Sequence, residues 1–338
     1  MHSSGVVRED IAKSRQTSVG HYNLGGSDNE EAVHVSASKT NLSEEKLIMK
    51  KAGIAATLVG VAMLAGSTLA SAQTVKGVYW TTSGMFGPFP ITGLIPTVPK
   101  EKQRDITIPV SMWIIDHPKG LVVFDTGNNV AVSDGNCKSY WAAGLCDFLK
   151  PTQKRADVID EQLKKVGFSA DKVKVVITSH THLDHVGNIA MFPNAIHVLQ
   201  KKELYQGWWP EKFQGRSTPG TFVMADLMAA REFNYLELNG DYDLFGDGSV
   251  LILTTPGHTL GHQSVKVKTA GSGTLILSQD AIWMQENLDG YPAGLNYSVQ
   301  DYTNSLNRLK FMRDIEGAQI FMAHDQDQFA AKGNKWYK

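Results

Sequence analysis

Cysteine is nearly absent: Cys137 and Cys146 are the only two in 338 residues. Two thiols cannot build a disulfide-dense scaffold or a four-thiolate zinc site. A charge excess is lacking as well, with 33 Lys and Arg against 34 Asp and Glu and a net charge of −1. A nucleic-acid groove needs a basic surplus to neutralise phosphates, so nucleic acid is not an expected partner. The chain has no G-x-S-x-G elbow, Walker A loop or G-x-G-x-x-G turn. Those absences remove the serine-hydrolase, P-loop and dinucleotide readings. With 42% apolar residues there is ample material for a core, and wholesale disorder is excluded. What remains is a globular enzyme or small-ligand binder.

A long, strongly apolar run is also missing. Residues 1–48 are polar and mixed in charge, a disordered or mis-assigned upstream segment. Met49-Lys50-Lys51 then precedes the stretch from Ala52 to about Leu69, followed by Ala70-Ser71-Ala72. A basic start, an apolar middle and an A-x-A site make residues 49–72 a secretory signal peptide, with translation starting at Met49 and cleavage after Ala72. Gly, Ser and Thr dilute the apolar stretch, so stable membrane insertion after cleavage is not expected. Residues 73–338 are then one exported domain, periplasmic or secreted.

In that domain short runs rich in Val, Ile and Leu recur between turns: Val110–Ile115, Leu121–Phe124, Val173–Thr178, Ile196–Leu199, Val250–Thr254, Ser264–Val267, Thr274–Leu277 and Ile320–Ala323. They read as buried strands. Arg155–Val166 reads as a helix stopped by Gly167, and Ser298 caps a second over Val299–Asp314. Sheets covered by helices are the expected layers. The segment Met85–Pro96 lacks a strand period and is broken by Pro. Phe86 and Phe89 from it, with Trp208 and Trp209, are candidates to wall an apolar substrate pocket. The alternative is a loop packed on the domain or across a homodimer interface. Cys137 and Cys146 are either a local disulfide or two unpaired thiols, since spacing does not fix geometry.

The chemistry concentrates after the third of these runs, Val173–Thr178. Ser179-His180-Thr181-His182-Leu183-Asp184-His185 places four metal-competent side chains in six positions. In an extended segment His180 and His182 point the same way. A following helical turn would offer Asp184 and His185 to a neighbouring point, so one segment can serve two metals. His258, Asp280 and His324 follow later strands. His117, His197 and His262 read as packed or hydrogen-bonded histidines.

The set H-x-H-x-D-H, then His258, Asp280 and His324 at strand ends, with Val123-Phe124-Asp125-Thr126-Gly127, resembles the metallo-β-lactamase superfamily. The resemblance implies an α/β fold, an αββα sandwich of two mixed β-sheets flanked by helices. It also implies that His180, His182 and His258 hold one metal, that Asp184, His185 and His324 hold another, and that Asp280 bridges them. Asp184 and Asp280 are then the catalytic carboxylates, with Asp184 as proton shuttle. Two divalent ions per chain are expected. The nitrogen and oxygen donors suit zinc, while iron, cobalt or manganese also fit. Asp125 is either a partner orienting a ligand imidazole or part of a structural turn.

Thr255-Pro256-Gly257-His258-Thr259-Leu260-Gly261-His262, Glu286-Asn287 and His324-Asp325 are similar to the N-acyl-homoserine lactonases, the quorum-quenching enzymes. Their activity implies a small lactone or ester substrate, opened by attack of a metal-bridging hydroxide. The alternative is an exported phosphotriesterase of the methyl-parathion-hydrolase type, or another esterase of this fold. One position departs: those lactonases carry Tyr three residues after the bridging Asp, where this chain has Trp283. An indole N–H can donate but has no ionisable proton for this work. Tyr291 and Tyr297 are the candidate substitutes.

Overall fold

A computed structural model of the chain describes residues 73–208 and 221–338. The expected upstream segment, the signal peptide at 49–72 and Trp209 lie outside the described residues, as does the side chain of Trp208.

The apolar runs become two sheets. The larger contains β1 (Gly77–Pro90), β2 (Asp105–His117), β3 (Gly120–Phe124), β4 (Val173–Ile177), β5 (Ile196–Gln200), β6 (Asn234–Leu238) and β12 (Trp336–Tyr337), in the order β12-β1-β2-β3-β4-β5-β6. Its β12, β1, β2 and β3 pair antiparallel, and β3 to β6 pair parallel. The smaller runs β11-β10-β9-β8-β7, from β7 (Tyr242–Asp243), β8 (Val250–Thr254), β9 (Gln263–Lys268), β10 (Thr274–Gln279) and β11 (Gln319–Met322). It is antiparallel except for β10 and β11.

Alternate side chains leave the two faces of each strand, and three apolar layers result. Trp80, Trp113, Phe124, Ile177 and Val198 meet Val250, Val265, Leu277 and Phe321 between the sheets. On the outer face of the larger sheet, Met112, Ile114 and Val176 pack with Ile159 and Leu163 of α2 (Ile159–Lys165). On the outer face of the smaller one, Leu253, Ile276 and Ile320 meet Tyr302, Leu306 and Leu309 of the long helix Val299–Glu316. The order is helix, sheet, sheet, helix, the αββα sandwich expected. Ser298 Oγ caps the long helix by accepting from Asp301 N, and Gly317 ends it at φ +71°. Among the described residues no helix is long and apolar enough to cross a membrane.

The first half of Met85–Pro96 corrects the sequence expectation. Met85–Pro90 is not a loop but the end of β1, paired with β2 through two register shifts, Thr82/Met85 and Phe86/Phe89. Gly84 at φ +105° and Gly87 at φ +114° sit within the shifts. Each bulge resets the inward–outward alternation, so no two-residue period survives in the sequence. The predicted helix Arg155–Val166 is also divided, into a single turn at Arg155–Asp157 and α2.

The long connection after β3 holds α1 (Ala143–Leu149), and Cys137 and Cys146 form a disulfide that ties its middle to the preceding turn. Further on come α3 (Leu183–Val186), α4 (Lys201–Trp208), α5 (Met224–Ala229), α6 (Gln285–Leu288), α7 (the long helix) and α8 (Gln326–Lys332).

Candidate metal centre

Each candidate ligand follows a strand end. His180 and His182 come just after β4, Asp184 and His185 lie on α3, and His258 follows β8. Asp280 directly follows β10, and His324 lies two residues after β11. Short strands buried on both faces bring these loops to one edge of the sandwich, and the structure gathers all seven side chains there. Three groupings have ligand atoms within 4.8 Å of one another: His180, His182 and His258; His180, His185 and Asp280; Asp184, His185 and His324.

The Asp280 carboxylate spans the cluster. Its Oδ2 lies 3.1 Å from His258 Nε2 and 3.8 Å from His180 Nε2, while Oδ1 lies 3.3 Å from both His185 Nε2 and His324 Nε2. Asp184 Oδ2 is 3.4 Å from His185 Nε2 and 3.8 Å from His324 Nε2. His182 Nδ1 lies 3.0 Å from both His180 Nε2 and His258 Nε2.

The donor set fits cations. His258 Nδ1 donates to the Leu295 carbonyl at 2.6 Å, and His324 Nδ1 donates to the Pro109 carbonyl at 2.7 Å. His185 Nδ1 faces Asp125 Oδ2 at 2.7 Å, and His180 Nδ1 faces Ser179 Oγ at 3.0 Å. A proton on each of these outer nitrogens leaves the lone pair on Nε2, aimed inward. His185 Nε2 and Asp280 Oδ1, both buried, have no hydrogen-bond partner. Buried polar atoms left unpaired in such a convergence are what a cation satisfies.

The electrostatics agree. Burial holds His180, His182 and His258 below the usual imidazole range, His258 despite the opposing Asp280 charge. At His185 burial acts the same way, but Asp184, Asp280 and Asp125 outweigh it and raise the imidazole well above that range. His324 is raised against burial by Asp280 and Asp184. Burial would lift Asp280, yet His185, His324, His258 and His180 hold it well below the carboxylate range. The carboxylates thus call for positive charge at His185 and His324.

Asp125 is the orienting residue rather than only a turn. At φ +61° it accepts from Ser179 N and Ser179 Oγ at 2.6 Å each, and from Gln279 Nε2, besides meeting His185. His117, His197 and His262 are packed histidines as expected. They bond Ser249 Oγ, the Phe192 carbonyl and Thr255, and burial lowers His262 to about 3.

A cavity of about 180 Å³ opens on the cluster, lined by His182, Asp184, His258, Asp280 and His324. Its apolar walls are Phe86, Leu94, Ile108, Leu145, Phe148, Leu149, Leu183, Trp283 and Leu295. Of the candidate substrate residues, Phe86 and Trp283 are thus among those facing the cavity. Phe89 does not line the cavity; it stacks behind Phe148 with ring centres 5.2 Å apart, because the second β1 bulge turns it away. Trp283 stands edge-on to His258 at 5.5 Å and His324 at 6.2 Å, and its buried Nε1 has no partner among the described residues. Tyr291 packs elsewhere, under Lys102 Nζ at 5.3 Å. The sequence reading missed α1 as a wall, and it missed Phe222, edge-on to His182 at 4.7 Å.

A sandwich with five histidines and two carboxylates converging at strand ends defines a metal-dependent hydrolase architecture. The chain belongs to the metallo-beta-lactamase superfamily, whose profile matches residues 106–324. It is 35% identical over 231 residues to the N-acyl homoserine lactonase AttM of Azorhizobium caulinodans, covering 66% of this chain and 84% of that protein. To the N-acyl homoserine lactonase AiiA of Bacillus thuringiensis subsp. kurstaki it is 28% identical over 225 residues, covering 66% and 84%. The fold is similar to a solved N-acyl homoserine lactone hydrolase with the product N-hexanoyl-L-homoserine bound at its catalytic metal centre. There the TM-score is 0.66 at 26% identity, covering 78% of this chain and all of the other.

Proposed function

We propose that this chain opens the lactone ring of N-acyl-homoserine lactones, with two divalent ions held at the cluster. The observation that carries the reading is Asp280, whose two oxygens face separate histidine sets. His180, His182 and His258 would hold one ion, Asp184, His185 and His324 the other, and Asp280 both. Zinc suits these donors. Bound there, the ions supply Lewis-acid chemistry, lowering the pKa of water towards neutrality and polarising the carbonyl.

The chain's own residues do the rest. Ring opening adds water across the ester: the acyl carbon gains an oxygen, the ring C–O bond breaks, and the departing oxygen takes a proton. Asp184 lines the cavity and is more open than Asp280, its side chain 14% exposed against 5%. Burial would raise its pKa, but His185 and His324 outweigh burial and lower it. A carboxylate at this place can take a proton from the attacking water and hand it to the departing oxygen. Trp283 Nε1–H is a donor available to a substrate carbonyl. Phe86, Leu94, Leu145 and Phe148 form an apolar wall suited to an acyl chain. The lactonase relatives favour this reading over triester hydrolysis. The disulfide and the Met49–Ala72 pattern support work in an oxidising compartment outside the cytoplasm.

The test is acid release from butanoyl- to dodecanoyl-homoserine lactone by zinc-loaded protein, with paraoxon alongside and metal content measured. Fast lactone opening, lost in Asp280→Asn, is expected. Triester cleavage without lactone opening would overturn the substrate and keep the metal site.

A further inference from the structure

Glu203, in the first turn of α4, is wholly buried. Among the described residues no basic side chain forms an ion pair with it. Its carboxylate instead accepts four hydrogen bonds from two separate loops. Oε1 takes Thr181 N and Thr181 Oγ1 at 2.8 Å each. Oε2 takes Thr259 Oγ1 at 2.7 Å and Gly261 N at 3.1 Å. Thr181 separates His180 from His182, and Thr259 adjoins His258. One carboxylate therefore joins the two loops that carry the three-histidine group.

The contact is close on both sides. A Cβ on Gly261 would lie 2.2 Å from Glu203 N, and one on Gly207 would lie 2.7 Å from Thr181 Oγ1. Gln206, one turn along α4, accepts from Leu260 N at 2.6 Å. Each Glu203 oxygen faces a backbone N–H, which can only donate; these four bonds favour the carboxylate, against burial, which raises its pKa. A buried charge with no counter-ion is costly. An imidazole binds a cation through a neutral nitrogen lone pair, so a three-histidine group brings no charge of its own to the ion.

We propose that Glu203 is the positioning residue of the three-histidine group: it sets the spacing of the two loops and supplies the negative charge behind them. The inference rests on the metal reading above. It goes further in making one of the two ions depend on a side chain that ligates neither.

The experiment uses the full chain and compares wild type, Glu203→Gln and Thr259→Val. Metal affinity is read by competition with a chelating dye, and the environment of the ions by the visible spectrum of the cobalt-loaded protein. Gln keeps the Thr181 bonds but turns an NH2 towards Gly261 N. A 10–100-fold weakening of one ion is expected, the range for outer partners of metal ligands, with the second ion within about three-fold. Thr259→Val removes one bond without stranding a backbone group, so it folds even where Glu203→Gln does not. It should weaken the same ion several-fold and shift the cobalt spectrum. Unchanged affinity and spectrum in Thr259→Val, or equal weakening of both ions in Glu203→Gln, would overturn the proposal. A wild type that binds no metal would instead remove the reading on which it stands.

Discussion

Asp125 Oδ2 lies 2.7 Å from His185 Nδ1, with both side chains wholly buried, and this contact fixes which ring nitrogen faces the cluster. In Asp125→Asn an amide replaces the carboxylate that accepts from His185, Ser179 and Gln279. Affinity for the ion at Asp184, His185 and His324 is expected to fall 10–100-fold. Stability should drop by about 1–3 kcal/mol, the cost of stranding buried donors. Dye competition and thermal melts of the metal-free protein check both effects, and unchanged metal binding would make Asp125 a turn residue only.

How much of this was readable in advance depends on whether a pattern is local. H-x-H-x-D-H was legible because four potential ligands share one loop. The buried strands were legible because burial on both faces demands Val, Ile and Leu. β1 was not, since its bulges at Gly84 and Gly87 break the alternation that marks a strand. β6 was missed for another reason: at the sheet edge, only Leu238 of its five residues is buried. Nothing in Lys201-Lys202-Glu203 marks that carboxylate as buried. Only the meeting of α4 with loops after β4 and β8 buries it. The α1 wall was hidden likewise, because Phe148 finds Phe89 and Gly93 across more than fifty residues of chain.

Asp226 gives a pH dependence remote from the metal. It accepts from Tyr140 Oη and Asn129 Nδ2 at 2.7 Å each, while Oδ2 is unpaired. Burial raises its pKa from 3.8 to about 7, against the lowering effect of those two bonds. A carboxyl raised on folding contributes stability below its unfolded value, and that contribution is lost as pH rises through the folded value. Asp226→Asn has no such loss. Its stability relative to wild type, followed through the melting temperature, should therefore climb between pH 4 and pH 8, by up to about 4 kcal/mol. A difference that stays flat over this range would show that Asp226 remains ionised throughout.

The disulfide should act on substrate choice as well as on stability. Cys146 lies within α1, whose Leu145, Phe148 and Leu149 wall the cavity. Replacing both cysteines by Ser frees a short loop and is expected to cost about 2–3 kcal/mol. The proposed metal ligands come from other elements, so metal content is expected to stay unchanged. With the wall loosened, the ratio of kcat/KM for decanoyl over butanoyl substrate is expected to fall several-fold. An unaltered ratio in the less stable variant would separate α1 from acyl-chain recognition.

Trp283 poses the sharpest question about the substrate. Its indole lines the cavity between His258 and His324, and its buried Nε1–H has no hydrogen-bond partner among the described residues. Leaving a donor unpaired at a core position is unfavourable, and a substrate carbonyl is the group that would relieve it. Trp283→Phe deletes that donor while keeping an aromatic ring. Because no protein partner is stranded, the melting temperature should change little. A lost hydrogen bond to substrate of about 1–1.5 kcal/mol corresponds to a roughly ten-fold lower kcat/KM for lactones. Trp283→Tyr returns a hydroxyl donor and should recover part of that loss. A Phe variant as fast as wild type would reduce the indole to a packing residue against the two histidines.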